Sequence, residues 1–235
     1  MSSPTRRERL RTATITEIKD LARRMLVDGG PAAISLRAIA RDMGMTAPAI
    51  YRYFPSLDAL VAELTEDLYD ELRQAVEVAR DRVPEPAPLP HLLAMGRAFR
   101  RWSIEHRAEF GLMFGNPVPG VTTFEEACKA PDHAGARFGA PFLEAFTQLW
   151  AQAGYPTPPE PVLQARLAPV LGQFRLDHPD LPLPVLYAFL TAWIRLYGIV
   201  ALEVFGHLQW ALPSMEPLFE LELDVFAAQI TAPPR

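Results

Sequence analysis

Apolar residues spaced three and four apart, in stretches separated by clustered prolines, constrain this chain more than any other feature of its sequence. Ile15, Ile18, Ala22 and Met25 recur on one helical stripe, and Leu57, Leu60, Val61, Leu64, Leu68, Leu72 and Val76 on another. The alternation of a half-buried strand is nearly absent. The 24 prolines gather between such stretches: at Pro84, Pro86, Pro88 and Pro90, at Pro117 and Pro119, at Pro156, Pro158, Pro159 and Pro161, and at Pro179, Pro182 and Pro184. Proline lacks an amide donor and clashes with a helix interior, so each cluster marks helix ends. The pattern predicts an all-α chain of about nine helices. No repeat with a period of roughly 20 to 50 residues suggests a solenoid.

A chain of 235 residues allows one or two domains, and 49% hydrophobic residues supply a sizeable core. Charge is distributed unevenly. The net charge is -5, yet residues 1–54 carry ten Lys/Arg against five acids, which leaves the remainder strongly acidic. A basic head on an acidic body suits a polyanion-binding protein, because affinity for phosphate depends on local rather than total charge. One cysteine, Cys128, excludes an internal disulfide or a multi-cysteine zinc site and fits a reducing compartment. The polar start through Arg6 and Arg7 has no hydrophobic signal stretch, so the expected location is cytoplasmic. Residues 183–207 are long and apolar enough to cross a bilayer. Arg195 in their middle and the prolines at 182 and 184 favour a buried helix of a bundle over a membrane span.

The most specific segment is 35–60, SLRAIARDMGMTAPAIYRYFPSLDAL. Ser35 suits the N-cap of a short helix with Leu36, Ile39, Ala40 and Met43 inward, and Gly44 suits the left-handed position that ends it. Thr46 can then cap a second helix, with Pro48 tolerated in the first turn. At about 100° per residue Ile50 and Phe54 share one side and can lock onto the preceding helix, while Pro48 and Arg52 point away. Ala47, Ala49 and Tyr53 flank that outward face. Small residues there can approach base edges, and tyrosine hydroxyls can reach phosphates.

These residues resemble the N-terminal signature of the TetR family of bacterial transcriptional regulators. The resemblance is carried by Ser35, Arg37, Ile39, Ala40, Gly44, Met45, Thr46, Ile50, Tyr51, Tyr53, Phe54, Ser56 and Leu60, after a first helix ending at Gly29 and Gly30. It implies a three-helix DNA-binding head with a helix-turn-helix over residues 1–56, followed by a helical-bundle ligand-binding and dimerisation domain over 57–235. It implies base contacts from Arg37, Ala47, Pro48, Ala49 and Arg52, and phosphate contacts from Ser35, Thr46, Tyr51 and Tyr53. Leu57 stands where the family usually has lysine. Two later stretches, 96–114 and 193–206, are similar to a WHG-type ligand-binding subfamily, with Tyr197 where that name implies histidine.

Catalytic signatures are lacking: there is no G-x-S-x-G elbow, phosphate-binding P-loop or dinucleotide fingerprint, and six serines leave few nucleophile candidates. Glu203 and His207, four apart, do not make a metal site alone. Cys128 beside Lys129 reads as an inert thiol rather than a redox sensor. No cofactor or metal is expected. Aromatic residues in the body, Trp102, Phe110, Phe114, Phe142, Phe146, Trp150, Trp193 and Tyr197, with His106 and Arg175 as polar groups, are candidates for an effector pocket, since small-molecule sites combine apolar walls with a few polar anchors.

In the helix at 183–207 one face is large and the other mostly small: Ala188, Thr191, Arg195, Gly198, Leu202 and Gly206. With Leu218, Leu221 and Val225 of the following helix these form a seam on which a second copy could pack. The expected protein is a homodimeric regulator, a repressor that binds palindromic double-stranded DNA and leaves it on binding a small apolar effector. A helical enzyme and a non-DNA-binding adaptor are the rival readings.

Overall fold

The computed structural model describes residues 5–84, 87–115 and 133–232, which form eleven α-helices, two short 3-10 turns and no strand. The helices are α1 (Arg6–Gly29), α2 (Leu36–Asp42), α3 (Ala47–Ile50), α4 (Leu57–Asp81), α5 (Pro88–Glu105), α6 (Arg107–Phe114), α7 (Ala134–Ala153), α8 (Glu160–Arg166), α9 (Gly172–Asp177), α10 (Leu183–Val204) and α11 (Glu216–Ile230). The count exceeds nine for two local reasons. The proline-rich stretch after α7 folds into α8, a 3-10 turn at Ala168–Val170 and α9, and α5 breaks from α6 at His106, whose backbone is not helical. Pro86, Pro117, Pro119, Cys128 and Lys129 lie outside the described residues.

The described residues divide into two compact units, one of residues 5–69 with 106–115, the other of 70–105 with 133–232. The first unit therefore extends past the expected boundary at 56: it includes the first half of α4 and takes in α6. Its first helix begins with a reciprocal cap. Thr5 accepts a hydrogen bond from the Glu8 amide at 3.3 Å, and the Thr5 amide donates to the Glu8 carboxylate at 2.6 Å. That bond holds the Glu8 carboxyl below its usual range. The unit closes around Ile18, Ala22, Leu26, Ile39, Ile50, Phe54, Leu60 and Leu64, all buried. Ile15 and Met25, on the same expected stripe, are half-buried. Arg23 of α1 donates to buried Glu109 of α6 at 3.0 Å, and Lys19 pairs with Asp67 of α4.

The second unit is a bundle in which α5, α7 and α10 pack on one another. Phe99, Phe138 and Trp193 meet there with ring centroids 5.5 to 5.9 Å apart. Helix α10 is long and apolar enough to cross a membrane by length and composition, with a mean hydropathy of 1.8 over its most apolar window. Arg195 at its middle, however, donates to Gln229 at 2.6 Å and Glu222 at 3.3 Å, both on α11. The charge that would be costly in hydrocarbon has partners on a neighbouring helix.

Candidate nucleic-acid interface and effector cavity

Ser35 caps α2 as expected, accepting a hydrogen bond from the Ala38 amide at 3.4 Å. Its hydroxyl proton remains available to donate. The turn after α2 carries both bonds of a Schellman motif, Met45 amide to Ala40 carbonyl at 2.8 Å and Gly44 amide to Arg41 carbonyl at 3.1 Å. That closure needs the left-handed backbone at Gly44, whose φ is 64°. Thr46 occupies the N-cap of α3 but makes no side-chain cap bond, so the capping expected of it does not occur. Its side chain is exposed.

Ile50 and Phe54 are fully buried and lock α3 onto α2. Arg37, Thr46, Ala47, Pro48, Tyr51 and Arg52 are exposed, and Ser35, Ala49 and Tyr53 half-buried. The nine proposed contact residues thus lie on or beside the helix-turn-helix with none buried. Arg11 is an addition that sequence reasoning missed. Its guanidinium stands 5.3 Å from the Tyr53 ring centroid and donates to the Arg52 carbonyl at 3.4 Å, so α1 braces the end of the reading segment. Nothing in the spacing of residues 41 apart signals that contact. Leu57, at the start of α4, is half-buried, and its apolar side chain offers no hydrogen bond to a phosphate.

The second unit holds a cavity of about 320 Å³ among α5, α7, α10, α11 and the turn after α10. Its walls are Leu92, Leu93, Gly96, Phe142, Phe146, Phe189, Ala192, Trp193, Leu196, Ile199, Leu202, Leu208, Met215, Leu218, Phe219, Leu223 and Phe226, with Arg195 and Glu222 the only charged lining among the described residues. Beside it lies a second cavity of about 310 Å³, lined by Tyr155, Pro156, Tyr187, Ala188, Thr191, Gln229 and Ile230. Phe146, Ala192, Arg195 and Phe226 line both.

Two family models match the chain, one described as bacterial regulatory proteins of the tetR family over residues 18–64, the other as a tetracyclin repressor-like C-terminal domain over 92–226. The chain belongs to the TetR family. It is 33% identical over 199 residues to the HTH-type transcriptional regulators Mb1846 of Mycobacterium bovis and Rv1816 of Mycobacterium tuberculosis, spanning 81% of this chain and 80% of each relative. Its fold is similar to the crystal structure of SCO4313, described as a regulatory protein, with a TM-score of 0.72 and 28% identity over 95% of this chain and 98% of that one. The chain is therefore a DNA-binding transcriptional regulator and not an enzyme, which removes both rival readings.

For a TetR-family regulator, the aromatic residues read from sequence divide. Phe142, Phe146 and Trp193 line the larger cavity. The other expected ligand residues do not. The Trp102 indole donates to Glu71 at 3.0 Å and fills core. Phe110 and Phe114 belong to the first unit, 4.9 Å apart, with Phe114 edge-on to Tyr69. His106 is the N-cap of α6, and Trp150 packs on Tyr155 at 5.1 Å. Arg175 donates to the carbonyls of Leu181 and His178, and Tyr197 stacks on Trp193 with ring centroids 5.9 Å apart and lines neither cavity.

The expected seam divides too. Gly198, Leu221 and Val225 face open space or solvent. Arg195 is turned to α11 of its own chain, Leu202 and Leu218 line the larger cavity, and Ala188 and Thr191 the smaller. Gly206 lies beyond α10, in the left-handed turn that closes it, rather than on the helix face. The Glu203 carboxylate is held by Arg100. Among the described residues no group of three His, Cys, Asp or Glu could hold a metal.

Proposed function

We propose that this regulator is a homodimeric repressor whose first unit reads a palindromic operator and whose second unit binds a small, largely apolar effector that releases it. The observation carrying the effector reading is the cavity of about 320 Å³, whose lining is apolar except for one ion pair. Its size falls within the range of roughly 300 to 1,000 Å³ usual for small-molecule pockets.

Base contacts come from Arg37, Ala47, Pro48, Ala49 and Arg52, and phosphate contacts from Ser35, Thr46, Tyr51 and Tyr53. Their exposure at the helix-turn-helix supports this assignment. So do Arg6 and Arg7, both exposed at the start of α1, since affinity for phosphate depends on local basic surface.

Dimerisation uses the outward faces of α10 and α11. Ile194 of α10 is 67% exposed and Leu221 of α11 57%, with Val225 also exposed, and α10 is apolar along most of its length, so these faces suit a partner surface. A two-fold axis there would present two reading heads to one palindrome.

Release is tested by titrating apolar compounds against the protein bound to DNA from around its own gene. An effector can shift the equilibrium only by its differential affinity for the free and DNA-bound states. The proposal expects at least one compound to abolish operator binding at saturation; a broad library with no such compound contradicts it.

A further inference from the structure

The wall between the two cavities specifies what the effector is. On the larger side Leu, Ile and Phe side chains offer only apolar contact. On the smaller side Tyr155, Tyr187, Thr191 and Gln229 bring hydroxyl and amide groups to a space of similar size. Arg195 lines both spaces, and its charge is already matched by Glu222, 3.3 Å away. Arg195 Nη1 donates to Gln229 at 2.6 Å and Nη2 to Glu222 at 3.3 Å, so the wall is neutral overall and keeps the remaining guanidinium N–H groups and carboxylate lone pairs for a further hydrogen bond.

We infer that the site takes an uncharged amphipathic molecule, its apolar body in the larger cavity and a hydrogen-bonding head, such as a hydroxyl or carbonyl, at the Arg195–Glu222 pair. The inference rests on the effector reading above and narrows it. A carboxylate head would gain the Arg195 guanidinium but meet the Glu222 carboxylate, and because both side chains of the pair are over two-fifths exposed the attraction is screened by water and returns little for the hydration the carboxylate itself loses beside apolar walls. A cationic head meets the same balance in reverse. A hydroxyl can donate to Glu222 and accept from Arg195 at once, and it carries no ionic desolvation cost. Length follows from the same arrangement. A molecule confined to the apolar space would make no hydrogen bond at the wall, whereas one that reaches it adds a bond to the pair.

The test uses the full chain at neutral pH, with tryptophan emission as the readout because Trp193 lines the larger cavity. A medium-chain primary alcohol is compared with the carboxylate of the same chain length. The alcohol should bind roughly tenfold more tightly than the carboxylate. Glu222→Gln removes the negative partner and leaves the Arg195 charge uncompensated, so it should shift the ratio about tenfold towards the carboxylate. Ala192→Phe, which fills the shared wall, should weaken both. Equal or tighter binding of the carboxylate to wild type, a ratio unmoved by Glu222→Gln, or binding of neither compound would overturn the inference. Tight alcohol binding that leaves the operator complex intact would support this site and overturn the release mechanism instead, so the two failures are distinct.

Discussion

Arg100 of α5 and Glu203 of α10 form a two-point ion pair, with Nε to Oε2 and Nη2 to Oε1 both at 2.7 Å. Each side chain is less than one-sixth exposed, and the Arg100 guanidinium also lies 5.0 Å from the Phe219 ring of α11. The pair joins the two stretches, 96–114 and 193–206, that resemble one subfamily in sequence. It therefore ties α5 to α10 at one end of the cavity-bearing bundle.

Breaking the pair from one side strands a charge. Glu203→Ala should destabilise the protein by about 3 kcal/mol, because a partly buried guanidinium loses its counter-ion. Replacing Arg100 and Glu203 together by Met and Leu should cost less than the single change. Urea unfolding of the three proteins checks the order; equal stability of Glu203→Ala and wild type contradicts it.

A second link, Arg97 to Glu220, predicts acid behaviour. The hydrogen bond from Arg97 holds the Glu220 carboxyl below its ordinary value of 4.5. A carboxylate lowered in the folded state contributes stability above its unfolded pKa and loses it as pH falls through the folded value. Stability should therefore decline below about pH 4.5, and Glu220→Gln should be less stable at neutral pH with a shallower acid decline. Both carboxylate and guanidinium are over a third exposed, so salt should reduce the difference. Melting curves across pH at low and high salt measure this.

At the DNA-reading surface, Arg52 and Tyr51 should fail differently. Arg52→Ala should relax specificity at one base pair per half-site by about 1 to 3 kcal/mol, since an arginine pairing with guanine reads sequence. Tyr51→Phe should weaken all operator variants alike, because a lost phosphate bond carries no sequence information. Binding across a full set of single-base operator variants separates the two patterns.

The long amphipathic helices were legible from periodicity alone. The stripe from Leu60 to Val76 in α4 is buried almost throughout, because one element carries both the pattern and the consequence. The helix-turn-helix was equally legible, since Ser35, Gly44 and Phe54 act on neighbours within a few residues. The cavity was not. Its walls come from four helices whose faces meet only in the folded bundle, so Phe142, Phe146 and Trp193 could not be told from Trp102, which serves as core. Phe226 and Gly96, both lining the cavity, carried no local signal. Arg195 reads as a seam residue by spacing, yet its long side chain reaches α11.

Gly198 offers a clean probe of the proposed dimer. A Cβ built there meets nothing within 4 Å in the single chain, so Gly198→Trp should leave the fold intact while obstructing a facing helix. Sedimentation should show folded monomers with unchanged circular dichroism. A full dimer would move the interface elsewhere.

The most direct measurement is a footprint of the protein on DNA from around its own gene, with the number of bound chains counted in parallel. The account predicts symmetric protection of two half-sites whose centres lie about one helical turn, roughly 34 Å, or a multiple of it apart, occupied by two chains that bind together. Protection of one asymmetric half-site by one chain would contradict it.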